Sequence, residues 1–94
     1  METTRQSKIS RLLQKDLSDI FLNETRKTHG VLISVSVVRV SPDLSVAKVY
    51  LSIFPSEKAQ EILDSIRLNA RNIRYKLAQR IRFQLRKTPE LSFF

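Results

Sequence analysis

Apolar residues recur with two different periods along this chain, and the order in which the periods change limits the folds open to it. From about Thr4 to Glu24, Ile9, Leu12, Leu13, Leu17, Ile20 and Phe21 follow the three- and four-residue steps of one helical face. Val31 begins a two-residue period. Val31, Ile33, Val35 and Val37 alternate with Leu32, Ser34, Ser36 and Val38, which predicts a strand with one drier face. Ser41-Pro42-Asp43 interrupts it, because proline lacks a ladder donor and aspartate favours turns. A second alternating run sets Ala47, Val49, Leu51 and Ile53 against Lys48, Tyr50 and Ser52, so the two runs predict an antiparallel hairpin. The helical period then returns through Ile62, Leu63, Ile66, Ala70, Ile73, Leu77 and Ile81, and taken alone predicts one helix from Glu57 to about Arg82. Lys87-Thr88-Pro89 stops it, and Pro89 to Phe94 reads as a final strand.

This order predicts an α+β fold, a three-stranded sheet with helices on one face, as a single domain over residues 1–94. Local signals agree with it. Thr3 and Gln6 match a capping box for the first helix. Ser56 is placed to cap the later helix, with Glu57, Glu61 and Asp64 complementing its N-terminal dipole.

Several function classes drop out on composition. The chain has no cysteine, hence no disulfide framework or thiolate metal site. Its single glycine forbids a P-loop or a GxGxxG turn. His29 is the only histidine and lies in a polar loop, so neither a catalytic triad nor a histidine metal site is expected. No serine has a His-acid pair to activate it. Asp16, Asp19 and Glu24 read as surface charges beside bases. No run is long and apolar enough to span a bilayer, and no secretory signal opens the chain. The expectation is a cytoplasmic monomer without enzymatic activity, cofactor, metal or small-molecule substrate.

Charge points the other way, towards a polyanion. Residues 1–66 hold nine bases and eight acids, a net of +1, whereas residues 67–94 hold eight bases and one acid, a net of +7. The excess is Arg67, Arg71, Arg74, Lys76, Arg80, Arg82, Arg86 and Lys87, six arginines and two lysines. Arginine's planar fork suits phosphate oxygens. On a helical projection Arg67, Arg71, Arg74 and Arg82 flank one side of the apolar stripe, and Lys76, Arg80 and Lys87 the other. Arg67 with Arg71, and Lys76 with Arg80, are like charges one turn apart, and no acid within the segment relieves them. A smaller row, Arg5, Lys8, Arg11 and Lys15, runs along the first helix. Tyr75 is the only aromatic residue within the basic helix and Tyr50 lies on the open hairpin face, too few for an RRM-style stacking platform.

Residue order adds a resemblance. Ser41-Pro42-Asp43-Leu44-Ser45-Val46-Ala47-Lys48-Val49-Tyr50, then Asn69-Ala70-Arg71-Asn72-Ile73-Arg74, then Pro89-Glu90-Leu91-Ser92-Phe93, together with Arg11-Leu12-Leu13, resemble the ribosome-binding factor A family over almost the whole chain. The resemblance implies a type II KH-like fold, α-β-β-α-(kink)-α-β. In that family an Ala-x-Gly kink separates two helices, and Ala70, Arg71 and Asn72 take those positions, with Asn in place of Gly. It further implies binding to free or immature small ribosomal subunits, contact with ribosomal RNA near the decoding region, help in maturing the 5′ end of that RNA, and a part in growth in the cold. The RNA-binding residues expected are Arg67, Arg71, Asn72, Arg74, Lys76, Arg80, Arg82 and Arg86, with Arg5, Lys8 and Arg11 widening the footprint. The alternatives are a general DNA- or RNA-binding basic domain, and a basic amphipathic helix on an anionic membrane. The apolar stripe is needed to cover the sheet, which disfavours the membrane.

Overall fold

The computed structural model describes residues 4–25, 30–85 and 87–94. The elements follow in the order α1 (Thr4–Thr25), β1 (Leu32–Val40), β2 (Val46–Phe54), a 3-10 turn (Ser56–Lys58), α2 (Ala59–Leu68), α3 (Ala70–Ile81) and β3 (Glu90–Phe93). The sheet runs β1-β2-β3, antiparallel between β1 and β2 and parallel between β2 and β3. A parallel pair needs a long crossover, and α2 and α3 supply it. This is the expected α+β order.

The apolar positions that set the periods are those that pack. Leu13, Leu17, Ile20 and Phe21 of α1 meet Val35, Val38 and Val40 of β1, Ala47 and Val49 of β2, Ile66 of α2, and Ile73, Leu77 and Ile81 of α3. Phe93 closes the core edge-on against Phe21, with centroids 6.0 Å apart and ring planes at 84°. Each fully buried leucine, such as Leu17 or Leu77, contributes about 1.5–3 kcal/mol by leaving water.

The alternation of β1 does not run through. Val35 pairs with Leu51 and Val37 with Tyr50, so Ser36 is the extra residue of a β-bulge. The bulge reverses which side chains face inward: Val38 and Val40 are buried, while Val37, expected on the dry face, is exposed. The side-chain amide of Gln14 on α1 reaches across and donates to the carbonyls of Val35 (3.3 Å) and Ser36 (3.2 Å). Those carbonyls flank the point where the ladder is disrupted.

The hairpin phrase builds one tight turn. Leu44 N–H donates to the Ser41 carbonyl at 2.9 Å. Leu44 then takes φ 62°, a left-handed conformation uncommon for leucine. The Asp43 carboxylate accepts from both Ser41 and Ser45 hydroxyls at 2.7 Å and from the Ser45 N–H at 3.2 Å. These donors, Ser45 first, hold its carboxyl down at about 2 from an ordinary 3.8. Gly30, the chain's only glycine, leads into β1 at φ 77°.

Other end signals resolve differently from expectation. Thr3 lies outside the described residues, and Gln6 is buried with its amide donating to the Val40 carbonyl at 2.9 Å. Ser56 opens a 3-10 turn and makes no side-chain cap, because the α-helix begins three residues later at Ala59. Asp64 is therefore past the first turn of α2. It accepts from Gln60 at 3.0 Å and approaches Arg67 at 3.8 Å.

Candidate nucleic-acid interface

One residue, Asn69, divides the predicted long helix. It sits at φ −97°, ψ 9°, in the bridge region between helix and strand. Because a single residue intervenes, the apolar period carries across the break, and Ile66 and Ile73 both reach the core. The kink thus lies one residue before the expected Ala70, Arg71 and Asn72, which form the first turn of α3. Among the described residues only Leu44 and Gly30 have positive φ, so Asn72 has ordinary helical geometry and stands exposed to solvent.

The two flanks of the basic helix face different neighbours. On one side lies β3. Arg67 Nε donates to the Phe93 carbonyl at 3.1 Å. Arg74 donates from Nε to the Pro89 carbonyl at 3.2 Å and from Nη2 to the Thr88 carbonyl at 2.8 Å. Between these two arginines Arg71 is exposed and pairs with no described residue. Three concavities share walls along this seam. The first is lined by Arg67, Ala70, Leu91, Ser92 and Phe94, the second by Ala70, Leu91, Arg71, Arg74 and Glu90, and the third by Arg71, Arg74, Tyr75 and Lys87. Lys87, expected beside Lys76 and Arg80, belongs here instead. The helix ends at Ile81, so a helical projection carried to residue 87 misplaces it.

On the other flank lies α1, and there the cations are matched. Lys76 pairs with Glu24, and Arg80 Nη1 lies 3.5 Å from Asp16 and 3.3 Å from Asp19. The acids missing from the basic segment are supplied by a helix more than fifty residues earlier. Lys76, Arg80, Glu24, Asp16 and Asp19 sum to −1, whereas Arg67, Arg71, Arg74 and Lys87 with Asp64 and Glu90 sum to +2. The seam between the helices and β3 is therefore the flank that carries the unbalanced positive charge.

Arg82 closes α3 with its guanidinium 4.7 Å from the centre of the Phe83 ring. Phe83 is 86% exposed and Tyr75 64% exposed. Two aromatic rings thus stand in solvent on or beside the basic helix, and Phe83 lies outside the residues expected from the sequence. Arg5, Lys8 and Arg11, with Lys15, form an exposed row on α1. Arg86 and His29 lie outside the described residues. Among the described residues no group of acids and histidines could hold a metal ion, and no helix is long and apolar enough to cross a membrane.

The family model for ribosome-binding factor A matches residues 5–94. The chain is 55% identical over 95 residues to ribosome-binding factor A of Christiangramia forsetii, covering 99% of this chain and 72% of that protein. Identity to the Flavobacterium psychrophilum protein of the same name is also 55%, over 96 residues, covering 100% and 74%. The crystal structure of ribosome-binding factor A from Thermus thermophilus matches with a TM-score of 0.76 at 26% identity, over 95% of this chain and 93% of that one. A Thermus thermophilus ribosome binding factor A homology model, fitted into the cryo-EM map of its 30S complex, matches with a TM-score of 0.70 at 30% identity, over 89% and 87%.

Proposed function

Because the chain belongs to the ribosome-binding factor A family, we propose that it binds free or immature small ribosomal subunits and assists maturation of their ribosomal RNA, the 5′ end included. The observation that carries this reading is the unbalanced positive seam along α2, α3 and β3. Arg71 and Lys87 offer charge with no acid paired to them among the described residues, and Arg67 and Arg74 flank them with guanidinium groups already oriented by carbonyls on and just before β3. Preoriented cations contact phosphate at a smaller entropic cost than free side chains do. The Thermus thermophilus relative fitted into a 30S complex supports the choice of the small subunit as partner. The protein acts by binding, as a monomer in the cytoplasm, and carries out no chemistry of its own.

Cosedimentation tests the proposal. The protein should pellet with small subunits, more so with immature particles, and should be displaced by salt because counterions released from phosphates drive binding. Equal binding to duplex DNA would favour the general nucleic-acid reading, and retention on anionic vesicles the membrane reading. Depleting the protein from its host should lead to accumulation of small-subunit RNA with an unprocessed 5′ end. Normal processing would count against the maturation role.

A further inference from the structure

Among the described residues, the helices cover one face of the sheet and leave the other open. On that open face the register lines up side chains in rows. Val37 pairs with Tyr50, and Phe94 continues the β3 ladder beside Tyr50 through Phe94 N–H to the Val49 carbonyl and Leu51 N–H to the Phe94 carbonyl, both 2.9 Å. The Tyr50 and Phe94 rings stack, with centroids 5.3 Å apart and planes at 24°. The next row pairs Arg39 with Lys48, and Lys48 with Ser92.

The Arg39–Lys48 pair is the telling feature. Like charges directly opposite on neighbouring strands destabilise a sheet, and neither cation pairs with an acid among the described residues. No acid stands in either row; Glu90, at the start of the outer strand opposite Val46, lines the concavity with Arg71 and Arg74. A sheet face kept for solubility alone would mix the signs. Two unrelieved cations beside a row of stacked rings match a different ligand: phosphates at the charges and bases on the rings.

We propose that the open sheet face binds unpaired nucleotides of RNA, with the Tyr50–Phe94 ring pair as the stacking surface and Arg39 and Lys48 as phosphate contacts. It is a second contact surface that meets the helix seam around the edge of β3, where Ser92 and Phe94 share a concavity with Arg67 and Ala70, and it rests on the reading of the protein as RNA-binding. A double-stranded segment is excluded from the ring pair because its bases already stack on one another, so this face selects single strands.

The test uses the full chain and a single-stranded oligouridylate, with a duplex of equal length as control. Binding is read by Tyr50 fluorescence in a Tyr75→Phe background, which leaves Tyr50 as the sole fluorophore of its kind. Tyr50→Ala, read by displacement of a labelled oligonucleotide, should weaken single-strand binding roughly 5- to 150-fold, the usual range for losing one stacking ring. Tyr50→Phe should bind as the parent does, since it keeps the ring. The double variant Arg39→Gln, Lys48→Gln keeps both rings and should lower the slope of log affinity against log salt by about 1.4, two phosphates at about 0.7 each for single strands. Unchanged affinity in Tyr50→Ala overturns the proposal, as does equal loss in Tyr50→Ala and Tyr50→Phe. A concentration-dependent dimer that Tyr50→Ala abolishes also overturns it, by showing a second copy on this face. Loss of small-subunit binding in Arg71→Gln with oligouridylate binding intact would separate the two surfaces. Failure of the wild-type protein to bind small subunits, with Tyr50-dependent oligouridylate binding retained, would sink the ribosomal reading alone.

Discussion

Replacing Arg74 by methionine separates its structural work from its charge. The guanidinium donates two hydrogen bonds, to the carbonyls of Thr88 (2.8 Å) and Pro89 (3.2 Å), and Pro89 is fully buried. Hydrogen bonds from a charged donor contribute about 1.5–3 kcal/mol each when shielded. Arg74 is only half-buried, so water replaces part of what is lost, and a combined effect of about 2 kcal/mol follows. Methionine keeps the aliphatic stem and its packing. With an m-value of about 1 kcal/mol/M in urea for a chain of this size, the midpoint should fall by about 2 M. Arg74→Lys should lie in between, since an ammonium cannot span both carbonyls as a planar fork does. The damage should be local first. Amide exchange should accelerate at Glu90, Phe94 and Leu51, whose N–H groups tie β3 to its neighbour through Ser45, Val49 and Phe94. A midpoint shift under about 0.3 M, with exchange at these amides unchanged, would refute the assignment of Arg74 as a tether for β3.

Two further perturbations probe the scaffold. Gln14→Ala removes the donor to the Val35 and Ser36 carbonyls at the bulge and should cost about 1–2 kcal/mol in urea denaturation; a change within error would mean that water satisfies the bulge equally well. Asp43 has a folded pKa depressed from 3.8 to about 2, so its contribution is complete above pH 3.8 and is lost as pH falls towards 2. Between those limits the wild-type urea midpoint should therefore drop further than that of Asp43→Asn, and parallel curves would contradict the turn's hydrogen bonding.

Much of the fold was legible because burial follows local period. The apolar residues of α1, the inward residues of β2 and the stripe from Ile62 to Ile81 were all readable from spacing, and all pack where spacing put them. What was not legible depends on groups distant in sequence. The Ser36 bulge carries no strong residue signal, since serine suits either face, and its partner Gln14 lies on another element. The break at Asn69 hides because one bridging residue preserves the apolar period. The resemblance implies a kink at Ala70, Arg71 and Asn72, and the break falls one residue earlier. For the candidate site, local charge counting found the cations but not their fates. Lys76 and Arg80 are balanced by acids on α1, and Arg67 and Arg74 are engaged with carbonyls at β3 and its approach. From sequence Phe94 is simply the end of a strand, and its stacking on Tyr50 follows only from the parallel register.

The central claim is that one flank of the basic helix meets RNA while the other clamps α1. Binding to purified small subunits, measured across salt concentrations for two double variants, tests it directly. Arg71→Gln with Lys87→Gln should reduce the slope of log affinity against log salt by about 1.4–1.8, the release expected for two lost phosphate contacts. Lys76→Gln with Arg80→Gln removes the same charge from the acid-balanced flank and should leave that slope unchanged. Equal reductions in both variants, or a reduction confined to the second, would contradict the account.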